Sequence, residues 1–225
     1  MRRILIPVIF GLAGIAVLVW LGVWQVQRLG WKQDVLAQID ARIAADPVAV
    51  PALPDPERDQ YLSVQATGQL QADMLRVLVS QKQVGAGYRL ISALQMAERT
   101  VLVDRGFIKV DGAAPDAVPG EITITGNLLW PDDRNSSTPE NDVAGNIWFA
   151  RDIDQMAKQL GSDPLLIIAR KTSLVDAGVT PLPVDSGAIP NDHLSYAITW
   201  FSLAFIWAMM TLYFLWRQRH PTQQA

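Results

Sequence analysis

Two long stretches without a single charge bracket this chain of 225 residues. Residues 4–24, ILIPVIFGLAGIAVLVWLGVW, run for 21 positions, and residues 194–216, LSYAITWFSLAFIWAMMTLYFLW, run for 23. At about 1.5 Å of helical rise per residue each reaches roughly 30 Å, the thickness of a bilayer's hydrocarbon core. Both are therefore read as membrane-crossing helices. The basic leader Met1-Arg2-Arg3 would also suit a secretory signal. However, the first run exceeds a signal's apolar region and continues into WQVQRLGWK with no small-residue cleavage site, so it is read as a retained anchor. Arg2 and Arg3 before the first run, with Arg217 and Arg219 after the second, outnumber Arg28 and Lys32. Both ends are thus expected in the cytoplasm and residues 33–190 outside it.

Residue counts narrow the chemistry. With no cysteine, the chain has no disulfide scaffold, thiolate metal site, c-type haem attachment or cysteine nucleophile. Its net charge of −3 argues against a nucleic-acid partner. Its two histidines, His193 and His220, lie outside the central segment, so neither a hydrolytic triad nor a multi-histidine zinc or iron site is expected there. Ser80 with Lys82 is a weak nucleophile–base pair inside a strand-like run, and Asp104 with Arg105 reads as a fold-stabilising turn at a strand end.

The middle reads as a mostly β, α+β body. QDVLAQIDARIAAD, from Gln33 to Asp46, continues the first helix beyond its apolar run, and PVAVPALPDPE breaks it with four prolines into an extended linker. Strands are expected in YLSVQATGQL, LRVLVSQ, YRLISALQM, TVLVDRGFIKV, EITITGNLLW and PLLIIARK, with NIWFARD as a further candidate. One helix interrupts them, DIDQMAKQLG, with Ile153, Met156, Ala157 and Leu160 at helical spacing and Gly161 as its stop. The chain thus divides into residues 1–32 (first membrane helix and its interfacial motif), 33–190 (the outer domain) and 191–225 (second membrane helix and tail).

His193 sits where a polar, proline-bounded segment meets the second apolar run. On a helix starting near Asn191 it shares a face with Tyr196, Ala197, Trp200 and Ala204. Trp20, Trp24, Arg28 and Trp31 recur at comparable steps at the end of the first run, with Gln25 beside them. In an antiparallel hairpin, Arg28 and His193 are expected at the same boundary, and Gly11, Gly14 and Gly22 permit close helix approach. An imidazole for iron, a cation for carboxylates and aromatic walls together suit a haem, which would make His193 the axial ligand. The same residues also suit an aromatic belt at headgroup depth, and residue chemistry alone favours the belt.

LGVWQVQRLGWK at 21–32 and NDHLSYAITWFSLA at 191–204 resemble the two end signatures of the Surfeit-locus (Shy-type) cytochrome c oxidase assembly factors. GAGYRLISAL, VLVDRGFI, ITGNLLWP and NIWFARDIDQMA resemble that family's internal blocks in the same order, so the likeness covers nearly the whole chain. Phe107 and Ile108 depart from the expected pattern, where a Trp and a more Pro-rich turn would stand. The resemblance implies an α+β membrane protein: a two-helix transmembrane hairpin enclosing a mostly β outer domain. It implies a non-catalytic assembly factor that binds haem a transiently and aids its insertion into cytochrome c oxidase subunit I. The alternative is a scaffold that stabilises a subunit I intermediate without touching haem. Under the first reading His193 is the axial ligand of the haem iron, Arg28 meets a propionate, and Tyr196, Trp200 and Trp24 pack on the ring. Membrane lipid, subunit I and haem a synthesis machinery are the expected partners. The short leader suits a bacterial inner-membrane protein, which places the central domain in the periplasm. Met209 and Met210 lie about 24 Å below His193 along a helix and do not share its iron.

Overall fold

The computed structural model describes residues 2–81, 84–112 and 119–219 and falls into two compact units, Met1–Gln38 with Ser186–Ala225, and Ile39–Asp185.

The first unit is a helical hairpin. Helix α1 covers Arg2–Ala44 and helix α4 covers His193–Arg219, with a short 3-10 turn at Ser186–Ala188. Each carries a stretch long and apolar enough to cross a membrane, and almost none of that stretch is buried within the protein. The helices run antiparallel along a seam of small residues. A Cβ on Gly11 would strike Thr211, one on Gly14 would strike the Trp207 indole, and one on Gly22 would strike Phe201. Ala197 and Ala204 are buried opposite them. Lipid tails are as apolar as leucine, so within a bilayer such a seam is held by close van der Waals packing and by interhelical hydrogen bonds. One such bond is present: Trp207 Nε1 donates to the Gly11 carbonyl at 3.2 Å.

The second unit is built on a sheet that closes on itself. Its strands are β1 (Val48–Ala49), β2 (Ser63–Gln81), β3 (Gly85–Gln95), β4 (Thr100–Lys109), β5 (Glu121–Leu128) and β6 (Asp163–Thr172). They follow the order β1-β2-β3-β4-β6-β5, and β2 also pairs with β5, so five strands form a closed ring with β1 attached outside. β4 and β6 are parallel and the other pairs in the ring are antiparallel. β2 closes the ring because it is long enough to serve two partners. Its first half pairs with β5 and its second half with β3, with a register break between Leu70 and Met74.

Side-chain alternation then builds two cores. Val101, Val103, Leu165, Ile167 and Ala169 face the interior of the ring with Val64, Ile122 and Ile124. Leu102, Leu166 and Ile168, one position out of phase, pack on the outer face with Trp148 and with Met156, Ala157 and Leu160. The last three come from helix α3 (Ile153–Leu160), which ends at Gly161 in a left-handed conformation, φ 64°. Strands covered on both faces need unbroken apolar runs, which accounts for VLV in β4 and LLIIA in β6.

Three sequence expectations change. YLSVQATGQL and LRVLVSQ are one strand, because β2 passes through Gly68 and Asp73 without ending. NIWFARD forms no strand; it contributes isolated bridges through Ile147 and Trp148. The proline-rich linker holds β1 and a single helical turn, α2 (Pro56–Asp59), capped by Asp55 accepting from the Arg58 N–H. Helix α1 does extend beyond its apolar run as expected, to Ala44. There the Ile43 carbonyl, free of an intrahelical partner, accepts from Asn127 Nδ2 at 3.1 Å and an Arg170 guanidinium nitrogen at 2.8 Å.

Candidate functional site

His193 is the first residue of α4 and is half-buried. Its Nδ1 lies 2.8 Å from Oε1 of Gln25 on α1. Gln25 continues the small-residue face of α1, three positions after Gly22, and is one of few buried polar side chains among the described residues, with 8% exposure. With the Gln25 amide oxygen as acceptor the imidazole donates from Nδ1, the tautomer that leaves the Nε2 lone pair for a ligand. Metal-bound histidines are commonly oriented in this way, with the second ring nitrogen bonded to a fixed acceptor that sets the tautomer and raises the basicity of the ligating atom.

Gln25, not Arg28, is thus the residue that meets His193, and sequence reasoning had noted Gln25 only as a neighbour of the tryptophans. Arg28, one turn along α1, lies over the Trp31 ring with its guanidinium carbon 4.4 Å from the centroid. Trp24 and Tyr196 are substantially exposed, and Trp200 is half-buried. The seam takes Ala197 and Ala204 inward and leaves the aromatic members of the expected stripe on the flank of the hairpin. An imidazole held through Nδ1, exposed aromatic side chains on the same flank and a cation one turn along α1 from Gln25 are the residue types that can hold a haem. His220 lies outside the described residues.

The second unit carries a buried ion lattice. Asp104 is fully buried in β4 and accepts from Arg89 at 2.5 Å and from the Gly106 N–H at 3.1 Å. Arg151 holds Asp133 in a two-pronged contact at 2.7 and 2.9 Å and stands 4.0 Å from Asp104. Burial pushes the Asp104 carboxyl above the usual range, against the pull of Arg89 and Arg151. At Asp133 burial acts the same way, but the hydrogen bonds and charge of Arg151 outweigh it and hold that carboxyl low. Arg105 pairs with Asp176 at 2.7 and 2.6 Å. Asp104 and Arg105 are therefore not at a strand-end turn. β4 runs through them, and Gly106, at φ 131°, lets the strand pass against the Thr180 carbonyl, where an added Cβ would strike backbone.

These charges are paired with one another around the ring. A cleft of about 860 Å³ lies nearby, walled by Pro54, Pro56, Trp130 and Pro131, and its cations Arg134 and Arg151 are already engaged by Asp152 and Asp133. Ser80 sits in β2, and Lys82 lies outside the described residues.

Comparison with known proteins agrees with this architecture. The sequence profile of the SURF1 family matches residues 12–205, from within α1 to within α4. Surfeit locus protein 1 of Rattus norvegicus is 28% identical over 215 residues, covering 83% of this chain and 70% of its own length. Surfeit locus protein 1 of Homo sapiens is 29% identical over 209 residues, with 82% and 69% covered. The SURF1-like protein of Drosophila melanogaster is 29% identical over 216 residues, with 83% and 71% covered. The matched span takes in the Gln25–His193 pair and the whole closed sheet, and the chain belongs to the SURF1 family.

Proposed function

We propose that this chain is an inner-membrane assembly factor for a haem-copper terminal oxidase, holding haem a at the outer lip of its hairpin and aiding insertion into cytochrome c oxidase subunit I. Membership of the SURF1 family supports the assembly role. The observation that carries the haem reading is the Gln25–His193 pair, an imidazole oriented by a buried acceptor at the mouth of an apolar seam. His193 would ligate the iron through Nε2, Arg28 would meet a propionate, and Trp24, Tyr196 and Trp200 would flank the ring. Bound there, the iron supplies the coordination bond that anchors the group. The protein's residues hold and orient the haem and carry out no covalent step.

Both termini would be cytoplasmic and the ring-sheet unit periplasmic. Haem a synthesis machinery is the natural donor, and subunit I the acceptor. Cells lacking the chain are expected to make haem a but to assemble oxidase with less than a full haem complement per subunit I. The measurement is haem a per subunit I in oxidase purified from the deletion strain. A full complement with normal turnover would sink the proposal. Normal loading with a lowered amount of subunit I would favour instead a scaffold that touches no haem.

A further inference from the structure

Below the Gln25–His193 pair, the flank of the hairpin opens into a groove of about 600 Å³, walled by Phe10, Gly14 and Val17 of α1 and Leu203, Trp207 and Met210 of α4. That volume is in the range of small-molecule sites, and every lining side chain is apolar. The groove exists because α1 offers Ala13 and Gly14 where larger side chains would fill it. Its far wall is fixed: the Trp207 indole donates to the Gly11 carbonyl and packs against Phe10 with ring centroids 5.7 Å apart.

Helical spacing joins this groove to the site above it. On α4, Tyr196, Trp200, Leu203, Trp207 and Met210 follow one another at steps of four and three, so they form a single ridge. On α1, Val17, Leu21, Trp24 and Arg28 do the same. The groove lies between the lower parts of these ridges, and the side chains proposed to flank the haem ring lie on their upper parts. From His193, about 15 Å of helix leads to Leu203 and about 26 Å to Met210. An isoprenoid tail leaving the edge of a ring ligated at His193 would enter this interval.

We propose that the groove is a slot for the isoprenoid tail of the haem, so that the hairpin selects tailed haems over untailed ones. The proposal rests on the haem reading above and adds a specificity to it. Inside a bilayer the tail gains no hydrophobic energy by leaving lipid, so selection depends on packing against a preformed wall.

Haem o and haem b form the decisive pair of probes, since they differ only in the tail. The full-length chain in nanodiscs is titrated with each and binding is read from the haem absorbance spectrum. Parent protein is expected to bind haem o roughly three- to tenfold more tightly, a preference that rests on packing alone. Ala13→Phe fills the groove from its open side without entering the seam. It should erase the preference while leaving haem b affinity unchanged, which also shows that the hairpin is intact. Equal affinities in the parent, or a preference that survives Ala13→Phe, would overturn the slot and leave the haem reading standing. Binding of neither haem by the parent would overturn both.

Discussion

Gln25 changes what substitution at His193 is expected to do. Were the imidazole alone at a membrane surface, His193→Ala would leave nothing stranded. Because Gln25 is buried against it, the same change leaves an amide without its partner in an apolar seam, at a cost of about 1–3 kcal/mol. His193→Ala should therefore abolish haem retention and also loosen the hairpin. Adding Gln25→Leu to that variant should restore the hairpin's thermal stability in detergent without restoring haem. Gln25→Leu alone removes the acceptor that orients the ring and should weaken haem affinity by about ten- to a hundredfold, the usual effect of losing such a support. If Gln25→Leu binds haem as the parent does, the pair is only an interhelical contact. Gln25 was visible in the sequence only indirectly: a lone amide on the face that Gly22 clears for close approach. Tryptophans and Arg28 drew attention instead because aromatic and cationic side chains announce an interface, whereas a single buried amide becomes legible only when its partner on the other helix is known.

The strands and helices themselves show where sequence reasoning was adequate. Uncharged length identified α1 and α4, and the 3.6-residue spacing with a terminal glycine identified α3, because both signals are local. Runs rich in Val, Ile and Leu identified β3 to β6, but such runs carry no information on pairing partners, so closure of the sheet through β2 was not legible. The polar stretch around Asp73 looked like a break, yet β2 runs on through it. The same limit hid the role of Asp104. A carboxylate followed by arginine and glycine reads as a turn until the parallel neighbour β6 is in place and buries it. The lattice around it makes a pH-dependent prediction. Burial already raises the Asp104 carboxyl, and Arg89→Ala removes its nearest cation, which should raise it further. A carboxyl raised in the folded state stabilises fully only below its unfolded value, near 3.9, and that contribution is lost as pH rises through the folded value. The deficit of Arg89→Ala relative to the parent should therefore widen from pH 5 to pH 7.5, reaching about 3 kcal/mol for a broken buried pair. Thermal unfolding of the full chain in detergent at the two pH values measures this. A deficit that shrinks as pH rises would show that Asp104 does not depend on Arg89 to carry its charge.

At the scale of the whole molecule, the proposed function depends on which side of the bilayer holds the His193 end of the seam. Haem a combines an apolar tail with two carboxylates, so it partitions poorly into water and lies unoriented when free in lipid. A hairpin that fixes the ring at headgroup depth, with the tail alongside its helices, presents the group already oriented to another membrane protein. Under the proposed function, transfer would then proceed laterally, with no passage through water. Delivery to the periplasmic side of an oxidase requires the start of α4 to face the periplasm, and the basic residues Arg217 and Arg219 at the end of α4 to stay in the cytoplasm. Cysteine labelling tests this directly, because the chain has no cysteine of its own. A cysteine at the exposed Ser137 should react with a membrane-impermeant thiol reagent in intact cells, and one at the exposed Gln218 should react only after the membrane is permeabilised. The reverse pattern would put the imidazole on the cytoplasmic side. Haem bound there would face the wrong leaflet for that delivery, and the carrier role would fail even if His193 proved to be a ligand.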